Sequence, residues 1–298
     1  MRADEDRGAA PVAPAALVAL APGAAVAPWP DDAVRDPLIG AWHLWQRRRG
    51  HRTSTDDVLT AWLSVRAWRA QRGGSVDAIG DAASPATLPA RYADLGCGIG
   101  SVMLMTAHAL RPAFTVGVEA QAQSVTMASR TVAELPDALD VALYHGDLRA
   151  ASAAALGGAF DLVTGSPPYF PVGAGTPSPD AQREACRFEL RGGIEAYCEA
   201  AARVLAQRGQ FVVVFQTTWD QRVLAAAAAA GLRLTRRVDV RMRDDAPGPF
   251  LSVYAFVRGA ADARGAVGDP SFAIRDGGGR VTEAYRAARA ELGLATTG

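Results

Sequence analysis

The feature that most constrains this chain begins at Arg91, where short apolar runs start to alternate with stretches of helical spacing. That alternation is the signature of a parallel sheet wrapped by helices. Seven strands are expected: Tyr92 to Leu95, Phe114 to Glu119, Val141 to His145, Phe160 to Gly165, Gln210 to Gln216, Leu232 to Arg241, and Leu251 to Arg258. The first five alternate with helices. Only Met242 to Phe250 separates the last two, and its Asp244, Asp245, Pro247, Gly248 and Pro249 suit a hairpin connection, so the seventh strand is expected to run antiparallel. The expected fold class is α/β: a Rossmann-like, seven-stranded, doubly wound sheet over residues 91–258 with an antiparallel last strand, preceded by a small helical N-terminal extension.

The chain has 298 residues, 49% of them hydrophobic and 21% charged, enough to bury one substantial core. Three cysteines exclude a disulfide scaffold, and Cys97, Cys186 and Cys198 lack metal-ligand spacing. They read as reduced thiols of a cytoplasmic protein with no metal and no disulfide. Every apolar stretch long enough to span a membrane is broken by Pro, Gly or charge, so no membrane partner is expected. All 31 basic side chains are arginines, balanced by 31 acids. Zero net charge argues against wholesale wrapping of a polyanion, leaving two local groups: Arg47, Arg48, Arg49 and Arg52, and then Arg233, Arg236, Arg237, Arg241 and Arg243.

Residues 1–30 read as a disordered Ala/Pro-rich arm. The acidic flank Asp4, Glu5 and Asp6, with Pro11, Pro14, Pro22, Pro28 and Pro30, goes against a signal peptide. The extension over 31–75 is expected to hold two helices. Val34, Leu38, Trp42 and Trp45 recur at spacings of three and four, ending at Arg49 and Gly50. A second helix starts at Ser54 or Thr55, takes Asp56 and Asp57 into its first turn, and runs to about Trp68. Residues 76–90 read as a linker, and 259–298 as a tail with one helix, Thr282 to Leu292.

Chemistry concentrates at the carboxyl ends of the strands, where an open parallel sheet places its ligand crevice. Asp94-Leu-Gly96-Cys97-Gly98-Ile-Gly100 ends the first strand with three glycines at alternate positions, suited to positive φ and close approach of backbone to a ligand. Glu119 ends the second strand, where a carboxylate can accept from both hydroxyls of a ribose. Gly146 and Asp147 follow the third, where the acid can accept from an adenine amino group. After the fourth comes Ser166-Pro167-Pro168-Tyr169. Two prolines lock that backbone and remove two donors, leaving carbonyls as fixed acceptors, and Tyr169 adds a flat face. A planar amine or amide could donate to Ser166 Oγ and the Pro167 carbonyl while its ring stacks on Tyr169. His51, His108 and His145 read as packed or surface residues. The segment between Tyr169 and Ile194, with Arg183, Arg187, Phe188 and Arg191, reads as a lid beside the acceptor site.

Over roughly Thr53 to Arg258 these pieces resemble a class I S-adenosylmethionine-dependent methyltransferase of the amino-methylating group, whose fourth motif is Asn/Asp/Ser-Pro-Pro-Tyr/Phe. Thr53-Ser-Thr55-Asp56-Asp57-Val-Leu59 resembles the Thr-Asp-Gly-x-Leu-Leu segment of bacterial tRNA (adenine-N6) methyltransferases. The resemblance implies S-adenosylmethionine as cofactor, held by Asp94, Gly96, Cys97, Gly98, Gly100, Glu119, Gly146 and Asp147, with Thr55 and Asp56 at its amino acid moiety. It implies Ser166, Pro167, Pro168 and Tyr169 as the catalytic tetrapeptide, and RNA, above all tRNA, as the acceptor. Ser at position 166, where the tRNA enzymes usually have Asn, also resembles cytosine-N4 DNA methyltransferases. Release-factor glutamine methyltransferases share the fold and use Asn-Pro-Pro-Tyr. A protein amide, a small molecule and a non-catalytic cofactor-binding scaffold therefore stay open as alternatives.

Overall fold

The computed structural model describes residues 17–71, 88–259, 267–268 and 271–295. The first sixteen residues of the expected arm and most of the expected 76–90 linker lie outside them. In chain order the elements are β1 (Val18–Leu20), β2 (Ala33–Ile39), β3 (Trp42–Arg47), α1 (Thr55–Gln71), β4 (Arg91–Leu95), α2 (Ser101–Leu110) and β5 (Phe114–Glu119). There follow α3 (Ala122–Ala133), β6 (Val141–His145), β7 (Phe160–Gly165), α4 (Ala181–Arg187), α5 (Ile194–Val204), β8 (Leu205–Gln216) and α6 (Asp220–Ala229). The chain closes through β9 (Leu232–Arg243), β10 (Leu251–Arg258), β11 (Val267–Gly268), β12 (Phe272–Arg275) and α7 (Glu283–Leu292).

The main sheet runs in the order β1-β6-β5-β4-β7-β8-β10-β9-β11, with β12 also on β9. Strands β6, β5, β4, β7 and β8 are mutually parallel, while β10 lies antiparallel between β8 and β9. From β4 the chain winds first to β5 and β6 on one side, then to β7 and β8 on the other, so the strand order reverses at β4. At such a point the loops leaving adjacent strands diverge and open a crevice. Strand β4 is central and apolar on both faces, with Tyr92, Ala93 and Leu95 fully buried. One face packs under Leu59, Trp68, Met103, Leu104 and Leu292 of α1, α2 and α7; the other packs under Ile194, Cys198, Val204 and Val223 of α5 and α6.

Three segments differ from expectation. Val34 to Arg49 forms no helix but the hairpin β2–β3. Pro37 has no N–H to give a helix, Gly40 turns at φ 54°, and the buried Trp42, Leu44 and Gln46 alternate with half-buried neighbours. The Trp42 and Trp45 indoles donate to Asp137 and Glu134 beyond α3, at 3.1 and 2.9 Å. Residues 17–30 of the arm are ordered against the domain. β1 covers the β6 edge, Val26 and Ala27 N–H both donate to Thr126 Oγ1, and Trp29 meets Trp45 edge-on at 5.1 Å. The tail adds β11 and β12, both parallel to β9, to the seven expected strands.

Helix α7 is tied to α1 by Glu291, which accepts from Trp62 Nε1 at 2.8 Å and from Arg66 Nη1 at 2.9 Å, in a mostly buried pair. Glu291→Ala strands both donors and should cost about 1–3 kcal/mol in urea unfolding. An unchanged midpoint would mean that the tail does not stabilise the domain.

Candidate active site

The turn from β4 to α2 has Gly96, Gly98 and Gly100 at φ 67°, 57° and 92°, all left-handed. At Gly96 a Cβ would sit 2.2 Å from Tyr197 Oη, so no side chain fits. Gly98 differs: nothing lies within 4 Å of its Cβ direction, and the residue lines an open cavity. Glu119, at the end of β5, ties this loop to the next one. Its carboxylate accepts from Gly98 N–H at 2.9 Å and from Gln121 N–H at 2.6 Å.

The cavity lies at the strand carboxyl ends. Asp56, Asp94, Gly96, Cys97, Gly98, Glu119, Gly146 and Asp147 line it together with the whole Ser166–Tyr169 tetrapeptide. Two expected contacts do not. Thr55 opens α1 outside the lining, because the helix turn presents Ser54, Asp56 and Asp57 instead; Gly100 serves as the N-cap of α2. Arg191 of the expected lid also lines the cavity, and so do His51, Asp57, Gln121, Cys186 and Tyr197, which the sequence reading missed. Of these only Asp57, beside Asp56 in the quoted segment, had a local signal.

Four carboxyl groups are raised here, each first of all by burial. Asp94 is pushed up to about 7; Thr164, donating to its Oδ1 at 2.7 Å, opposes the shift, while Asp57 and Glu119 reinforce it. Glu119 is raised by burial against two backbone N–H donors, and Asp56 and Asp57 are raised as well. Asp147 goes the other way: burial pushes it up, but the bonds from Arg149 outweigh this and hold it below the usual range. Burial would lower His51, yet its hydrogen bond to Cys186 and the charges of Asp57 and Glu119 bring it to about 9. At neutral pH this ring carries a proton and is no general base. His108, edge-on to Trp42 at 4.8 Å, and His145, 3.3 Å from the Ala120 carbonyl, are packed as expected.

Tyr169 leaves the tetrapeptide toward α1, and its hydroxyl donates to Asp56 Oδ2 at 2.5 Å. Its ring stands edge-on to Phe215 at 5.2 Å. The segment after it carries α4 and is anchored over the site. Asp180 pairs with Arg47 at 2.7 Å, and Gln182 accepts from His51 N–H at 3.2 Å and donates to Ser124 Oγ at 2.9 Å.

Buried carboxyl groups raised by their surroundings favour a cationic ligand, and the open face of Gly98 leaves room for a bulky one. A nucleoside carrying a sulfonium and an ammonium suits that donor set.

The comparisons agree. The family model "Methyltransferase small domain" matches residues 83–230. The tRNA1(Val) (adenine(37)-N6)-methyltransferase of Dickeya chrysanthemi is 30% identical over 201 residues, 66% of this chain and 78% of that one. The release factor glutamine methyltransferase of Caulobacter vibrioides is 33% identical over 153 residues, 49% of this chain and 52% of its own length. Among solved structures, a predicted O-methyltransferase from Agrobacterium tumefaciens superposes with a TM-score of 0.53 at 18% identity, over 81% of this chain and 98% of that one, and so shares the fold. Fold and comparisons define a class I methyltransferase that uses S-adenosylmethionine. The chain belongs to the family of the tRNA1(Val) (adenine(37)-N6)-methyltransferases and is an N-methyltransferase.

Asp94 makes stability depend on pH. Its folded value of about 7 lies above the ordinary 3.8, so between pH 4 and 7 the folded chain keeps a proton that the unfolded chain has released. Stability therefore falls as pH rises through that window and levels off above it. Without cofactor, Asp94→Asn should lose less stability than wild type between pH 5 and 8 by urea unfolding. An equal loss would contradict the burial argument.

Proposed function

We propose that this enzyme methylates an exocyclic amino group of a nucleic acid base, adenine N6 in tRNA, with Ser166, Pro167, Pro168 and Tyr169 presenting the acceptor. The observation that carries this reading is that the tetrapeptide and the acids Asp94 and Glu119 line one cavity. Bound S-adenosylmethionine supplies an electrophilic methyl group on a positively charged sulfur. The chain's residues have to align the acceptor. Ser166 Oγ and the Pro167 carbonyl accept from the two hydrogens of the amino group, which turns its lone pair toward the loop at Gly98. Tyr169 covers the ring of the base. Alignment within contact distance supplies most of the rate in such a displacement. The amine loses its proton to solvent after attack, and no base is required of His51. Asp94, Gly96, Cys97, Gly98, Glu119, Gly146 and Asp147 hold the cofactor in this reading.

Charge at the cavity mouth favours RNA. In the expected basic groups Arg47, Arg52, Arg237 and Arg243 are all in ion pairs with aspartates. Arg48 and Arg49, which leave the hairpin beside α4, are exposed, as are Arg183 and Arg187 on the outer face of α4 and Arg191 at the rim. Guanidinium groups in this position suit phosphates. The 33% identity to the Caulobacter glutamine methyltransferase favours a protein amide as the second reading.

The test is incubation with methyl-labelled S-adenosylmethionine and RNA from cells lacking the protein, read by nucleoside mass spectrometry. Labelled N6-methyladenosine in tRNA is expected; label only in a protein glutamine would establish the second reading. Ser166→Ala should lower kcat about 10–100-fold with little change in cofactor affinity by calorimetry. The reverse pattern would remove its aligning role. In salt titrations of tRNA binding, Arg183→Ala with Arg187→Ala should reduce the slope by about one per lost phosphate contact. An unchanged slope would place the RNA elsewhere.

A further inference from the structure

We infer that Asp56 is a positioning residue that fixes the ring of Tyr169, so that the first turn of α1 shapes the acceptor platform and not the seat of the cofactor. The inference rests on the reading above, in which Tyr169 covers the acceptor ring.

The first turn of α1 contains two adjacent acids with different work. Ser54 and Asp57 cap the helix reciprocally: Ser54 N–H donates to Asp57 Oδ2 at 3.0 Å, and Asp57 N–H donates to Ser54 Oγ at 3.4 Å. The helix end is thereby satisfied without the Asp56 side chain. Asp56 points across the cavity to the hydroxyl of Tyr169, 113 residues away in sequence, at 2.5 Å. Burial keeps the Tyr169 hydroxyl protonated far above neutral pH, so it remains the donor. Phe215 abuts the same ring at an interplanar angle of 82°.

These two contacts restrain different freedoms. Pro167 and Pro168 fix the backbone ahead of Tyr169 but leave its side-chain torsions free. The edge contact with Phe215 limits how far the ring can swing, and the hydroxyl bond fixes where its far end points. A ring held at both ends is preorganised to meet a flat acceptor, and a loose one has to be ordered at each turnover. A Phe at 169 would keep the flat face and lose the tether. The N-terminal extension thus reaches the acceptor side of the cavity through one carboxylate.

The test is a double-mutant cycle on the full chain with Asp56→Ala, Tyr169→Phe and the pair, adding Asp56→Asn, which keeps an acceptor oxygen in place. The expected result is a loss of kcat of about tenfold in each single variant, a double variant no worse than the singles, and recovery of most of the loss in Asp56→Asn. The dissociation constant of S-adenosylmethionine by calorimetry should stay within about threefold of wild type in all four. Weakening of cofactor binding by about tenfold or more in Asp56→Ala, or losses of kcat that multiply in the pair, would overturn the inference and return Asp56 to the cofactor. A readout independent of the acceptor is the 19F resonance of 3-fluorotyrosine at position 169, assigned with Tyr169→Phe. It should shift or broaden in Asp56→Ala and be restored in Asp56→Asn; an unmoved line would also overturn the inference. A wild-type enzyme inactive on tRNA would sink the acceptor reading alone, since the resonance is recorded without substrate.

Discussion

Burial of carboxyl groups around one cavity is the constraint on which the rest of this structure depends. Asp56, Asp57, Asp94 and Glu119 are all withdrawn from water at the ends of α1, β4 and β5, and the protonated ring of His51 is the cation that the shifts of Asp56, Asp57 and Glu119 have in common. Charged groups in such a place are costly unless paired, so the free protein responds by raising its carboxyl groups toward neutrality. A ligand bearing positive charge removes that penalty. In the proposed reading the cofactor meets that demand at Asp94 and Glu119, while Asp56 is met by the hydroxyl of Tyr169.

The architecture exists to hold those groups in place. Reversal of strand order at β4 opens the crevice, and the left-handed glycines bring the backbone close to it without side chains. Glu119 joins the β4 loop to the β5 loop through two backbone donors. The hairpin, α1 and α4 then close the cavity from outside the sheet, with Arg47–Asp180 tying the hairpin to the start of α4 and Asp56–Tyr169 tying α1 to the tetrapeptide. Because the N-terminal extension contributes to both links, loss of its packing would disturb the cavity wall.

Much of this was legible in the sequence where a signal is local. The parallel strands, the antiparallel direction of β10 and the glycine loop follow from periodicity and turn chemistry, and Asp94, Glu119 and Asp147 from their position at the carboxyl end of a strand. The hairpin was misread because Val34, Leu38, Trp42 and Trp45 fit a helical spacing, whereas the Pro37 and Gly40 signals point to strands and a turn. Residues 17–30 and the strands of the tail depend on sheet edges that only the assembled fold presents. His51, Gln121, Cys186 and Tyr197 reach the cavity from separate segments, and no spacing rule links them. Thr55 shows the limit of a motif: the segment was found, but helix geometry decides which of its side chains faces inward.

The most direct measurement is the proton balance of cofactor binding, obtained by titrating S-adenosylmethionine calorimetrically at pH 6 in buffers of different ionisation enthalpy. With Asp94 raised to about 7 in the free protein, the positive ligand should drive its ionisation, so binding should release a substantial fraction of a proton. Asp94→Asn should markedly reduce that release. Binding heats independent of the buffer in the wild-type protein would contradict the account.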